Sequence, residues 1–482
     1  MGIKAIEDYW PENRSVIPIW QINVIRNVFL ECVAVPLPLR HNGRILRDLV
    51  GSSTIGGPYM PGPLDGVKVA DFTEVIAGPL AGRLLADLGA DVIKIEPPWG
   101  EPWRLTQRFT PTESRTFMTY NRGKRSLPLD LTKDGAAEIL DCLIPEMDIV
   151  LVNFRPDVAA KLGVDYETIS AINPRIIYCE LTAYGRAGPD ADRPGYDMIL
   201  QGMTGMVSSE TKTLDGVPSW VWSSPLIDTS AGICMAWTVC AALYAREHTG
   251  VGQKIETSLL ASALSLMGAR FLHVEALDKE IREQTVKELE NMRADGAAYD
   301  DMVAVSPGSR RREHHGNLYY RIYYTKDAPI GVGCLSDPLR RRLLNTLGLT
   351  DDGLELGWDP SKPESREYSQ ALEKKAEELM AEKPSEEWLR IFEERAIPAG
   401  PVRFIEELFE DPQVVANGLV TEVEHSQEGK VKMVGPMAHF LGTVPENPQA
   451  SPALGQHASE ILEGLGFTQQ RIKGWYDDGI IS

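Results

Sequence analysis

The sequence is short of positive charge. Lysine and arginine total 49 against 69 aspartates and glutamates, a formal net charge of −20. That balance argues against nucleic acid or an anionic membrane as the main partner. A polyanionic ligand would have to be met by a local basic patch. Cysteine is scarce as well: the 6 residues at positions 32, 142, 179, 234, 240 and 334 are scattered, and none forms a Cys-x-x-Cys or Cys/His cluster. They read as reduced core thiols of a cytoplasmic protein, not as disulfide partners or metal ligands. His314-His315 is the one histidine pair, without acids at ligand spacing, so no metal site is expected.

Long apolar runs free of polar groups are missing too. Residues 16–39 are moderately apolar but carry Gln21, Asn23, Arg26, Asn27 and Glu31, which would be costly in hydrocarbon. No basic stretch followed by an apolar core opens the chain, so no signal peptide is expected. Common nucleotide and hydrolase signatures are absent: there is no Walker loop, no Gly-x-Ser-x-Gly elbow and no His-Glu-x-x-His. Thr-Glu-Val-Ile-Ala-Gly-Pro (73–79) stands where a glycine fingerprint would follow the first strand, which counts against ordinary nicotinamide dinucleotide binding.

What is present describes a soluble enzyme-sized chain. With 482 residues, two or more domains are expected. A hydrophobic share of 43% with 24% charged residues is ordinary for a globular protein. Residues 1–60 read as an extension ending in linker composition, Gly-Ser-Ser-Thr-Ile-Gly-Gly (51–57). From Pro63 strands and helices alternate: strands over 68–72, 91–96, 148–153 and 175–181, and helices over 79–89 and 157–171. Alternation of this kind builds an α/β fold, a large domain around a doubly wound parallel sheet. We assign 61–275 to the first part of this large domain and 276–315 to a charged connection. A smaller α+β unit over 316–395 follows, and 396–482 reads as short strands and a closing helix.

One stretch concentrates the chemistry. Pro-Leu-Ile-Asp-Thr-Ser-Ala-Gly (225–232) runs into an apolar helical segment, 233–246, that Gly250 closes at a left-handed stop position. Asp228 is thereby placed at a helix N-terminus. By itself this residue is either a capping acid or a carboxylate held for chemistry at a strand-to-helix junction. Trp220 and Trp222, just upstream, are either an aromatic wall for a ligand or core residues of a strand.

Further motifs stand in order around it. Pro-Leu-Asp-Gly-Val-Lys-Val-Ala-Asp-Phe-Thr-Glu-Val-Ile-Ala-Gly-Pro (63–79) is followed by Leu-Gly-Ala-Asp-Val-Ile-Lys-Ile-Glu-Pro-Pro (88–98) and Asn-Arg-Gly-Lys-Arg-Ser (121–126). Next come Asn-Phe-Arg-Pro-Asp (153–157), Leu-Thr-Ala-Tyr-Gly-Arg-Ala-Gly-Pro (181–189) and Arg-Pro-Gly-Tyr-Asp (193–197). Ala-Ile-Pro-Ala-Gly-Pro-Val (396–402) and Pro-Ala-Leu-Gly-Gln-His (452–457) complete the set. Each is weak alone, but together and in this order they resemble a family III CoA-transferase, the group that includes formyl-CoA transferase and carnitine CoA-transferase.

The resemblance implies that Asp228 is the nucleophile of an acyl-CoA:carboxylate transfer, with coenzyme A entering as an acyl-CoA co-substrate, a small carboxylic acid as partner, and no metal. It implies CoA contacts from the first βα loop (Val75, Ile76, Ala77) and from Lys124, Arg125, Asn153, Phe154 and Lys161, with Arg104 a further phosphate contact. Lys124, Arg125 and Lys161 read equally well as solvated surface charges, and Phe154 as core. Tyr196 and Gln201 read as site-lining or packing groups. It also implies a Rossmann-like large domain with a smaller α+β domain inserted over 316–395, 396–482 as a C-terminal return to the large domain, and an interlocked homodimer. Two positions depart from the pattern: Pro97 stands where formyl-CoA transferase can hold a CoA-binding arginine, and the glycine-rich active-site loop of that enzyme has no clear match, the nearest polar loop being 309–317. A rival of another class is a CoA-binding protein without turnover, and the rival within the resemblance is an α-methylacyl-CoA racemase. Its histidine would fall at Tyr196, and a phenol with a reference pKa of about 10 is a poor proton acceptor near neutrality.

Overall fold

The structure is a computed structural model that describes residues 62–210, 212–306, 316–360, 362–443 and 448–482. The extension over 1–60 and the histidine pair at 314–315 lie outside the described residues, as does most of the 309–317 loop.

Six parallel strands form the central sheet: β1 (Lys68–Asp71), β2 (Asp91–Glu96), β3 (Lys124–Pro128), β4 (Ile149–Val152), β5 (Ile177–Thr182) and β8 (Gln253–Ser258), the last following a short hairpin of β6 (Thr213–Leu214) and β7 (Val217–Pro218). Their spatial order is β3-β2-β1-β4-β5-β8. Helices cover both faces of the middle strands, and β4, Ile-Val-Leu-Val, is apolar and buried at every position. β1 pairs with β2 on one side and with β4 on the other, so the connection reverses between β1 and β4. In sheets of this kind a crevice opens at that reversal, beyond the carboxyl ends of the strands.

Three helices frame the crevice: α1 (Ala77–Ala86), α2 (Asp197–Met203) and α3 (Leu226–Thr249). α3 is long and apolar enough to cross a bilayer by length and composition, yet Ile227, Ala231, Met235 and Val239 are buried in one cluster with Val69 and Leu151 of the sheet. Gly232 permits its approach to α1, since a Cβ there would lie 2.5 Å from the carbonyl oxygen of Ala77. Gly250 ends it at φ +73°, with its N–H on the Arg246 carbonyl at 2.7 Å.

A second sheet is antiparallel, ordered β12-β11-β10-β9, from β9 (Gly316–Asn317), β10 (Tyr320–Tyr324), β11 (Pro329–Gly333) and β12 (Ala399–Pro401). It has its own core around Tyr323, Ile330, Trp388 and Phe392. A hairpin of β13 (Val420–His425) and β14 (Gly429–Val434) follows. The chain then returns to the first sheet, where Ile461, Leu462, Ile472 and Trp475 bury against Leu127 and Ile139, and Ile481 bridges Leu129.

Several boundaries move from those read in the sequence. The single helix expected over 157–171 is two, Pro156–Lys161 and Tyr166–Ile172. Gly163 turns the chain at φ +69°, and the Asp165 side chain accepts the Thr168 N–H at 3.1 Å to start the second. The charged connection holds a 20-residue helix, Glu275–Ala294, with no buried residue. The apolar helix read over 233–246 starts earlier, so Asp228 is its third residue and does not cap it.

Candidate active site

The crevice at the carboxyl ends of β1, β4, β5 and β8 is a cavity of about 300 Å³. Its walls are Glu74–Ala77 after β1, Asn153–Pro156 after β4, Leu181–Ala183 at the end of β5, Arg193–Tyr196 before α2, Leu259 after β8, and Asp228.

The loop after β1 is held in a strained form. Val75 has φ +76°, a left-handed conformation that a β-branched residue rarely adopts. Its N–H donates to Glu101 Oε2 at 2.9 Å. Asn153 fixes the preceding residue from both sides, accepting the Glu74 N–H at 2.9 Å and donating to the Glu74 carbonyl at 2.8 Å. Asn153 therefore ties the end of β1 to the end of β4 and keeps Val75, Ile76 and Ala77 on the cavity wall beside Phe154.

Asp228 is 9% exposed and opens into this cavity. Burial, with the nearby Asp197 carboxylate adding to it, pushes its carboxyl up to about 7. The start of α3 is capped from outside. Asp197 Oδ2 accepts the N–H groups of Ile227 at 2.7 Å and of Asp228 at 3.1 Å. Gln201, one turn along α2, donates to Asp197 Oδ1 at 2.6 Å. Its amide also grips Val221, donating to the carbonyl at 3.1 Å and accepting the N–H at 2.9 Å. Gln201 is thus a buried clamp that holds the Trp220–Trp222 strip near the start of α3. Trp222 is 77% exposed, so it is not core.

The raised Asp228 pKa has a consequence for stability. A folded pKa of about 7 stands above the unfolded value near 3.8, so the folded state keeps a proton that the unfolded chain releases. Stability is therefore lost as pH rises through that interval, by a ceiling of roughly 4 kcal/mol. Asp228→Asn removes the titration. We expect it to stabilise the protein by about 2–4 kcal/mol at pH 8 and far less at pH 4, read from urea unfolding at both pH values.

The cations nominated from the sequence are placed mostly elsewhere. Arg104 is 0% exposed, with Nε and Nη2 on the two oxygens of Glu96 at 2.8 and 2.9 Å, Nη1 on Glu113 at 3.0 Å, and Nη2 also on the Pro452 carbonyl. Its guanidinium lies 3.5 Å from the centre of the Phe117 ring. Lys124 is buried with its ammonium on Asp71 at 2.7 Å, Asn121 at 2.8 Å and the Pro79 carbonyl at 2.9 Å. Burial acts to raise Asp71, but Lys124 and Lys94 outweigh it and hold its carboxyl below the usual range. Arg125 pairs with Asp91 and Glu460, at the strand ends opposite the cavity. These three side chains serve ion pairs within the fold, and none lines the cavity. Lys161 is 76% exposed beside Asp157, on the short helix whose first residues line the cavity.

Residues that the sequence reading passed over are at the cavity instead. Arg155 and Arg193 line it with largely exposed side chains, Glu74 faces it, and Asp197 organises the start of α3. All four sit inside the quoted motifs, but nothing in a motif distinguishes an arginine that faces a crevice from one that faces a core. Tyr196 lines the cavity and is 62% exposed, whereas Gln201 is buried behind it.

The sequence profile described as CoA-transferase family III matches residues 64–458. The chain belongs to that family. Among similar proteins, the human succinyl-CoA:glutarate CoA-transferase is 30% identical over 433 residues, covering 87% of this chain and 90% of the relative. A succinate–glutarate CoA-transferase from Agrobacterium fabrum is 31% identical over 420 residues, covering 85% and 97%. A formyl-CoA:oxalate CoA-transferase from Rhodopseudomonas palustris is 30% identical over 421 residues, covering 86% and 96%. Among solved structures, a CaiB/BaiF family protein from Brucella suis is similar with a TM-score of 0.63 and 28% identity, covering 84% of this chain and all of that one. As a family III chain it is a CoA-transferase whose α/β architecture is shared with its structural neighbours. Among the described residues no cluster of His, Cys, Asp and Glu has the geometry to hold a metal ion.

Proposed function

We propose that this protein is an acyl-CoA:carboxylate CoA-transferase that works through a covalent intermediate on Asp228. The observation that carries the reading is a buried carboxylate opening into the switch-point cavity of the sheet. In the first step a carboxylate oxygen of Asp228 attacks the acyl-CoA carbonyl, the C–S bond breaks and CoA thiolate leaves, giving a mixed anhydride. The thiolate then attacks the Asp228 carbonyl carbon, the donor acid departs as a carboxylate, and an aspartyl-CoA thioester remains. An acceptor carboxylate runs the same two displacements in reverse and leaves as the new thioester, restoring Asp228. No electron pair or proton is gained or lost overall. Burial excludes the water that would otherwise hydrolyse the anhydride.

The acyl-CoA phosphates need cations in a chain with a net charge of −20. Arg155 and Arg193 are the cations among the cavity-lining side chains, and Lys161 stands at its edge. Arginine hydrogen bonds to phosphate are charge-assisted and worth about 1.5–3 kcal/mol. Arg155→Ala and Arg193→Ala are each expected to raise KM for acyl-CoA by about tenfold or more with little change in kcat. Arg125→Ala, at the opposite edge, is expected to leave KM unchanged; initial rates and CoA binding titrations read both.

Relatives named for succinate, glutarate and oxalate support dicarboxylic acids as the first acceptors to try. The exposed apolar face of α3, Ile233, Trp237 and Tyr244, supports a homodimer, which light scattering reads. The scattered free cysteines fit a cytoplasmic setting. Tyr196 at the racemase histidine position favours transfer over racemisation.

The test is direct. The purified protein is incubated with acyl-CoA and acid panels, and new thioesters are read by mass spectrometry, with hydroxylamine added to trap activated carboxyls. A hydroxylamine-dependent mass change on the Asp228 peptide supports the reading. Exchange of α-protons with deuterated water, without that adduct, would replace it with the racemase.

A further inference from the structure

A carboxylate in the first turn of a helix normally collects the free N–H groups there and the positive end of the helix dipole, and both make it less basic. Asp228 is the third residue of α3 and should enjoy this environment. It does not. The N–H groups of Ile227 and of Asp228 itself go to Asp197 Oδ2, at 2.7 and 3.1 Å, and the Thr229 N–H returns to the Pro225 carbonyl at 2.9 Å. A second acid, from another helix, has occupied the anion site at the start of α3.

We infer that Asp197 is a positioning residue that takes the N-terminal donors of α3 for itself and leaves the Asp228 carboxylate undamped as a nucleophile. The Gln201 amide holds Asp197 in place at 2.6 Å and bonds both backbone groups of Val221, so one rigid assembly sets the nucleophile and the strip that precedes it. The arrangement rests on the reading of Asp228 as nucleophile.

The chemistry explains why such an arrangement is useful. Nucleophilic strength rises with basicity within one class of nucleophile. An aspartate made weakly basic by such backbone donors would be a poor attacker of a thioester and a good leaving group from its own anhydride. Asp197 acts to keep the Asp228 proton on, while Arg155 and Arg193 line the same cavity with largely exposed side chains. Asp197 stands on α2 and Glu74 across the cavity, and Tyr120, on the helix Arg115–Asn121, feels the Asp228 charge in a phenol already raised by burial. The guanidinium of Arg83, on α1, acts on Tyr120 in the opposite direction. Burial and Asp197 both act to keep the Asp228 proton on.

The test reads Asp228 ionisation without requiring turnover. Peptide-resolved labelling by a water-soluble carbodiimide and an amine, followed across pH, falls as the Asp228 carboxyl ionises. Wild type is expected to show a midpoint near 7. Asp197→Asn, which keeps an acceptor oxygen but removes the charge, is expected to lower the midpoint by about one pH unit or more. The acid limb of kcat/KM should move with it and the high-pH plateau should fall several-fold. Asp197→Glu, which keeps the charge, is expected to hold the midpoint near that of wild type. A merely structural Asp197 would lower the rate without moving the limb. The inference is overturned if the wild-type midpoint lies in the ordinary carboxylate range, or if Asp197→Asn leaves it where it was; should Asp197→Asn not fold, the wild-type and Asp197→Glu midpoints decide. A raised wild-type midpoint without any hydroxylamine-trapped adduct would instead remove the transfer reading and leave the electrostatic arrangement standing.

Discussion

Asp228→Asn is expected to lower CoA transfer by about 10⁴-fold or more while acyl-CoA binding changes by no more than a few-fold. Asparagine matches aspartate in size and keeps the residue on the third position of α3, so Asp197 still accepts the backbone N–H groups of residues 227 and 228. What disappears is the nucleophile. An amide oxygen does not attack a thioester to give a stable anhydride, and no other carboxylate stands in the same first turn. The expected pattern is therefore a loss in kcat with a nearly unchanged dissociation constant for acyl-CoA, and no trapped adduct on the 228 peptide. Retained transfer in the variant, checked for deamidation by mass, would remove Asp228 from the mechanism. Because the same variant is expected to be more stable at pH 8, loss of activity through unfolding is separable from loss of chemistry.

Arg104→Ala is expected to destabilise the protein by about 3–5 kcal/mol, which places Arg104 in the fold and not in the ligand. Sequence resemblance points to a phosphate contact here, yet the side chain is fully buried. It bonds Glu96 through two nitrogens and Glu113 through a third, reaches the carbonyl of Pro452, and lies over the Phe117 ring. Removing it leaves Glu96 and Glu113 buried without their cation. Burial already pushes Glu113 up to about 7 with Arg104 opposing, so in the variant that carboxyl would retain its proton to still higher pH. Arg104→Lys is expected to recover only part of the loss, because an ammonium cannot match the forked contact with Glu96. A phosphate-binding arginine would behave differently, with KM raised and the unfolding midpoint unchanged. Urea unfolding beside initial rates separates the two outcomes.

The alternation of β1, β2, β4 and β5 with helices was legible in the sequence because strands buried between helices are rich in apolar residues, as Ile149–Val152 is throughout. Asp228 was legible because its neighbours match a family pattern and because Gly250 marks where the helix must end. The break of the 157–171 segment at Gly163 was harder to read, since a single glycine is tolerated in many helices and its left-handed turn is set together with the Asp165 cap two residues later. The cation assignments failed to come together for a different reason. Lys124, Arg104 and Arg155 have the same chemistry in a sequence, and their partners are far along the chain: Lys124 finds Asp71 across 53 residues, and Arg104 finds Pro452 across 348.

By itself, then, the sequence determined the family, the α/β architecture and the residue on which the chemistry is proposed to turn, because those depend on local periodicity and on motifs contiguous in the chain. Only the tertiary structure decided which charges face the crevice, which are consumed in the core, and that the acid capping α3 comes from α2. Those are matters of which side chains meet across the fold, and the free energy of a charge depends on that meeting and on burial, not on its place in the chain.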